Sequence, residues 1–182
     1  MGNLWRFLVI ATLALLCIGC GPENNVSNDG KSNLLPPVSS SEVEVPIVLY
    51  RLSSQGDKLV KTTVKVKIED NKVNTLIKTL LKDVGDEKYP NMFAKYNVKL
   101  IGVSIGPKGV ATVNLTKELK QIKTGSMTEM LLVYSIVNTL TEIPEVNSVN
   151  FAVEGKPIGT FNGHMDLTEP LKKDLSLVAP DK

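Results

Sequence analysis

The sequence predicts an α+β fold in which two helices pack on one face of a mostly antiparallel sheet, in the order ββαββαββ. Three observations lead there. Apolar, β-prone segments come in pairs, near residues 45–68, 98–115 and 146–161. Between the pairs lie two segments whose apolar residues recur at helical spacing. Gly, Pro, Asn and Asp gather at the joints.

The first pair opens with Val45 to Leu52, with Pro46 near its start, as an edge or first strand allows. Ser53-Ser54-Gln55-Gly56-Asp57 reads as a turn. Leu59 to Ile68 then sets Val64, Val66 and Ile68 on one side and Lys65 and Lys67 on the other. Asp70 or Asn71 caps the first helix, whose stripe is Val73, Leu76, Ile77, Leu80 and Leu81. Gly85 ends it, and Asp86 to Asn91 is a loop with Pro90. The second pair is Val98 to Ile105, a turn at Gly106-Pro107-Lys108-Gly109, and Val110 to Leu115. Ser126-Met127-Thr128-Glu129 spells a capping box, so the second helix is expected from Met127 to Glu142, closed by Pro144. Val146 to Val153 is expected to turn Val149, Phe151 and Val153 inward, and Glu154-Gly155 leads into a last strand, Pro157 to Phe161.

Ahead of this domain, Met1 to Arg6 is a short basic region and Phe7 to Ile18 an almost unbroken apolar run. That run suits a signal-peptide core, since a membrane span wants about 20 apolar residues. Gly19 before Cys20 resembles the lipobox of bacterial lipoproteins, with Cys17 standing where that family usually has leucine. The expected organisation is a signal peptide at 1–19, a lipidated Cys20 with a flexible tether at 20–42, the domain at 43–177 and a frayed tail at 178–182. An uncleaved N-terminal anchor helix is the alternative. Either way the domain is held to a membrane, on its extracytoplasmic face.

Hydrophobic residues make up 42% of the chain and charged residues 22%, a globular composition with a net charge of +2. No strong field draws it to nucleic acid. Beyond Arg6 the one arginine is Arg51, and the one tryptophan, Trp5, falls in the leader, which argues against base reading and stacking. The two cysteines, Cys17 and Cys20, end the apolar segment, so no thiol of the domain can form a disulfide or bind metal.

The motifs that carry chemistry are thin. Gly102-Val103-Ser104-Ile105-Gly106 matches G-x-S-x-G, but a nucleophile elbow needs a helix after the serine and here a strand follows. His164, the only histidine, stands near Asp166 and Glu169, whereas zinc wants three or four ligands dominated by His or Cys. Asp83, Asp86 and Glu87 form an acidic loop without the ligand series of a calcium site. Asn138 and Thr139 interrupt an apolar helix and are expected to bond the backbone one turn earlier, a partner contact being the other reading. Lys61, Lys65 and Lys67 make a basic strand face, suited either to anionic wall polymer or lipid headgroups or to blocking unwanted edge pairing. No catalytic residue, metal site or cofactor is assigned.

Several segments taken in order resemble the GerM-domain family of sporulation and spore-germination lipoproteins. Gly109 to Thr116 is similar to its G-V-A-x-V-D-L-S strand, with Asn114 where the family usually has Asp. Gly125-Ser126 and Glu129 resemble the start of its second helix, and Ile136 to Val146 its I-V-x-T-L-T-E-x-P-x-V helix end. Val149 to Lys156 resembles its V-x-i-x-V-d-G-K hairpin, and Tyr50 with Leu59-Val60 its opening hairpin. The resemblance runs from Ile47 to Lys173, although the Lys82 to Tyr96 connection lacks the family's Gly-Pro pair. It implies a non-enzymatic envelope module, akin to the ring-building domains of sporulation and secretion channels.

The leading expectation is thus a lipid-anchored protein–protein assembly module acting in an envelope complex by packing and β-edge pairing. The alternative is an extracytoplasmic lipoprotein that binds a peptide, wall fragment or ion, which a deep pocket with convergent polar groups would reveal. A hydrolase is the third reading, resting on Ser104 and His164 alone.

Overall fold

The computed structural model describes residues 44–82 and 91–180, all within one compact unit, Ser41–Lys182. The expected leader, Cys20, the tether and the acidic residues Asp83, Asp86 and Glu87 lie outside the described residues.

Strands β1 (Glu44–Leu52) and β2 (Leu59–Lys67) form an antiparallel hairpin in register from Glu44↔Lys67 to Leu52↔Leu59. Gly56, at φ +68°, turns the loop, and Ser53 N–H donates to Lys58 O at 2.9 Å. Tyr50 directs its N–H away from β2, to Thr139 Oγ1. By the alternation of an antiparallel ladder Pro46 faces the same way, so its missing N–H removes no ladder bond.

Helix α1 (Lys72–Lys82) is capped by Asn71, whose Oδ1 accepts from Asn74 N–H at 2.8 Å, and it buries Leu76, Ile77, Leu80 and Leu81 as the stripe predicted. A short helix α2 (Met92–Lys95) was not anticipated. Asn91 caps it and also donates from Nδ2 to Leu80 O, while Phe93 anchors it in the core. One turn carries too few residues to display a period.

Strands β3 (Leu100–Ile105), β4 (Val110–Leu115), β5 (Ser148–Val153) and β6 (Lys156–Pro157) make a second sheet in that spatial order. Helix α3 (Ser126–Leu140) lies between β4 and β5 in the chain. The two strands pair in parallel, Val110↔Ser148 through Leu115↔Val153, because a helical crossover returns the chain in the direction it left. The other pairings are antiparallel.

Three expectations are corrected here. The described residues hold two sheets, not one, and three helices, not two. The hairpin stays separate because α3 lies along the outer edge of β1, where Thr139 takes the Tyr50 N–H. The last strand stops at Pro157 instead of reaching Phe161. Beyond Ile158 the loop is drawn toward Glu129 instead of the ladder.

The core joins both sheets and the helices through Leu49, Leu59, Ile77, Val113, Leu131, Ile136, Leu140 and Val149, all fully buried. β5 is buried on both faces, so Ser148 and Ala152 are covered as well as Val149, Phe151 and Val153. The chain end returns to the hairpin: Ala179 N–H donates to Leu59 O at 2.8 Å.

Candidate functional site

Most of the buried polar side chains sit on α3. Glu129 is 0% exposed. The capping box does not form: Gly125 is the N-cap, and Ser126 is the first helical residue. Glu129 instead reaches across to the loop after β6. Its Oε1 accepts from Asn162 N–H at 3.0 Å, and Thr160 Oγ1 stands 3.5 Å away. Its Oε2 accepts from His164 N–H at 3.2 Å. A carboxylate in the first turn of a helix is also favoured by the helix dipole. The loop is closed further by Asn162 Nδ2 donating to Ile122 O at 2.6 Å and Gly163 N–H to Thr160 Oγ1 at 2.7 Å.

At the other end of α3, Asn138 departs from the local bonding expected of it. Its Nδ2 donates to Asp174 O at 2.8 Å and its Oδ1 accepts from Asp174 N–H at 3.0 Å, so the amide pairs with a distant peptide unit as a strand would. Thr139, likewise expected to bond locally, serves Tyr50. Glu142 accepts from Tyr50 Oη at 2.6 Å and from Lys173 Nζ. Burial pushes the Glu142 pKa up, but the bonds from Lys173 and Tyr50 and the charges of Lys173 and Lys61 outweigh it and hold the carboxyl below its ordinary value. These bonds tie β1, α3 and the C-terminal segment into one unit. They serve structure.

The residues singled out for chemistry are kept apart. Ser104 is exposed on edge strand β3, paired with Thr112, and the chain continues into a short turn and β4. His164 lies on the loop beyond β6, where its N–H meets Glu129 of α3. Asp166 is occupied by Thr168, whose hydroxyl and N–H both donate to it and lower its pKa. Among the described residues no three His, Cys, Asp or Glu side chains are grouped to hold a metal ion.

A ligand-binding reading needs a pocket. The interior opening between α3, β4 and β5 is lined by apolar residues such as Phe93, Leu132, Phe151 and Phe161 and measures about 10 Å³, too small for more than a water. Two larger grooves lie on the surface, one of about 470 Å³ beside α2 lined by Leu81, Asn91, Lys95 and Val98 among others, and one of about 330 Å³ between β2 and α1 lined by Lys65, Lys67, Glu69 and Lys78 among others.

At β3 the sheet ends in an edge that α1 covers in part. Among the described residues β3 pairs with β4 alone. The outward Val103 N–H is capped by Asn74 Oδ1 of α1 at 3.3 Å. Ile101 and Ile105 remain 50% and 42% exposed.

This arrangement has relatives. The Germane family, described as sporulation and spore germination, matches residues 48–159. The chain belongs to the Germane family. Two solved structures from Bacillus subtilis are similar to it. The tandem GerMN domains of the sporulation protein GerM align with a TM-score of 0.60 at 17% identity, covering 71% of this chain and 46% of that one. The first GerMN domain of the same protein aligns with a TM-score of 0.58 at 17% identity, covering 70% of this chain and 97% of that one. At this identity the likeness is one of fold, and the chain spans under half of the tandem structure. No curated protein matches the chain. No helix among the described residues of this Germane domain is long and apolar enough to cross a membrane.

Glu129 was legible only as a capping residue, and Lys173 gave no signal in the sequence. The usable hint was a group of polar residues, Asn138 and Thr139 inside an otherwise apolar helix end and Glu142 just beyond it.

Proposed function

We propose that this Germane chain is an extracytoplasmic lipoprotein, anchored through lipid on Cys20, whose domain is a non-enzymatic assembly module of an envelope complex in sporulation or germination. The observation that carries the reading is edge strand β3, which pairs on one side alone among the described strands and leaves Ile101 and Ile105 half exposed on either side of the Val103 N–H that α1 caps. Such an edge is a template for strand addition by a partner, and its apolar side chains supply specificity. A strand follows Ser104 where a nucleophile elbow needs a helix, which favours assembly over hydrolysis.

The test places a photocrosslinking amino acid at Ile105 in the source cells during sporulation and identifies adducts by mass spectrometry. A discrete adduct with an envelope protein, absent from the Cys20→Ala strain, is the expected result. Irradiation that returns only uncrosslinked chain would sink the edge-pairing idea. The mass of the Cys20 peptide reads the lipid anchor independently.

A further inference from the structure

Asn162-Gly163 is the one Asn-Gly step in the chain. An asparagine amide followed by glycine is open to attack by the glycine's own backbone nitrogen, because no Cβ shields that nitrogen. Water reaches the step, since Gly163 is exposed and Asn162 only half-buried. Yet both reacting groups are held elsewhere. Gly163 N–H, the nucleophile, donates to Thr160 Oγ1 at 2.7 Å. The Asn162 amide, the electrophile, is turned inward: its Nδ2 donates to Ile122 O at 2.6 Å and stands 3.3 Å from Thr124 Oγ1. Glu129 fixes the backbone on both sides through the Asn162 and His164 N–H groups. Gly163 takes φ +92° with open space around an added Cβ, so the turn needs glycine for its backbone and leaves the nitrogen uncovered.

We propose that Asn162 is a site of hydrolytic deamidation, which the Glu129 grip on the loop holds off and which, once complete, keeps the grip from forming again. In the reaction Gly163 N bonds to Asn162 Cγ and the side-chain nitrogen leaves as ammonia, giving a succinimide. Water then opens the ring at either carbonyl, leaving aspartate or isoaspartate. The net change is an amide and a water to a carboxylate and an ammonium ion, so no oxidant or reductant is needed.

The product cannot restore the native contacts. An aspartate carboxylate accepts only, so it has no hydrogen for Ile122 O, which belongs to a fully buried residue. It also sets a negative charge on the residue whose N–H the buried Glu129 carboxylate accepts. Isoaspartate adds a backbone carbon between the two N–H groups that Glu129 holds, so both no longer meet its oxygens. Release of the loop withdraws Phe161, which closes the apolar interior beside Phe93 and Phe151.

The experiment follows the Asn162 peptide of the full purified chain by mass spectrometry during incubation in neutral buffer, with the urea-unfolded chain as the ungated reference. The folded chain is expected to react roughly tenfold slower or more, because reaction requires the loop to open. Glu129→Ala and Thr160→Val, shown to be folded by circular dichroism, are each expected to react roughly threefold faster than folded wild type. Thr160→Val removes one exposed hydroxyl and carries the test if Glu129→Ala does not fold. In Asn162→Asp, amide exchange at His164 should rise roughly tenfold or more. Equal rates for folded and unfolded wild type would overturn the gate, as would folded variants that react no faster than wild type. His164 exchange in Asn162→Asp as slow as in wild type would overturn the one-way release.

Discussion

Gly109 is the position where one added carbon should do most harm. It holds φ at +70°, and a Cβ built there would lie 2.6 Å from both Glu145 O and Asn147 Nδ2. Two bonds depend on that closeness: Asn147 N–H donates to Gly109 O at 2.8 Å, and its Nδ2 to Lys108 O at 2.9 Å. Gly109→Ala therefore carries the left-handed backbone term of about 1 kcal/mol. It must also displace backbone at residues 145–147 and weaken both bonds, each contributing about 1 kcal/mol. The sum is about 3 kcal/mol, a large share of a typical domain's stability. Gly155 supplies the control. Its φ is +77°, yet nothing lies within 4 Å of its added Cβ, so Gly155→Ala should lose only the backbone term, about 1 kcal/mol. Urea unfolding followed by circular dichroism measures both, with unchanged m confirming that only stability moved. Equal losses for the two variants would refute the argument that close packing, rather than backbone conformation, makes Gly109 necessary.

Other outcomes follow from α3 and its partners. Glu129→Ala leaves the Asn162 and His164 N–H groups without their acceptor and should cost about 3 kcal/mol in the same assay. Glu129→Gln keeps one oxygen but sets an NH₂ against an N–H, so it should fall between Ala and wild type. Asn138→Leu should cost about 2 kcal/mol and raise amide exchange at Asp174, whose N–H loses its acceptor; unchanged exchange there would contradict the pairing. Because the Glu142 pKa is lowered in the folded state, its contribution is present above the ordinary glutamate range and is lost as pH falls through the lowered value. The side chain is partly exposed, so that contribution is below about 1 kcal/mol. Glu142→Gln should flatten the loss of stability as pH falls below the ordinary glutamate range, and an unaltered acid profile would count against it.

Periodicity predicted the two long helices and most strands well, because burial of one face imposes a repeat of 2 or 3.6 residues on any sequence that achieves it. Val73 to Leu81 and the runs around Val64 and Val113 display that repeat openly. α2 escaped because a single turn has no period. The capping box failed because Ser126 and Glu129 satisfy a local pattern while a distant loop competes for the same carboxylate. Asn138 and Thr139 were expected to bond their own helix, and distant peptide groups took them instead.

By itself the sequence determined the two long helices, most of the strands, the tight turns at Gly56, Gly109 and Gly155, and membership of the family. Each of these depends on a few neighbouring residues or on their order along the chain. Only the tertiary structure decided that the hairpin stands apart from the four-stranded sheet, that β4 and β5 run parallel, and that Glu129 grips the loop at 160–164. Those outcomes turn on which of several competing partners reaches a given N–H or carboxylate in space, and that competition is resolved only when the chain is packed.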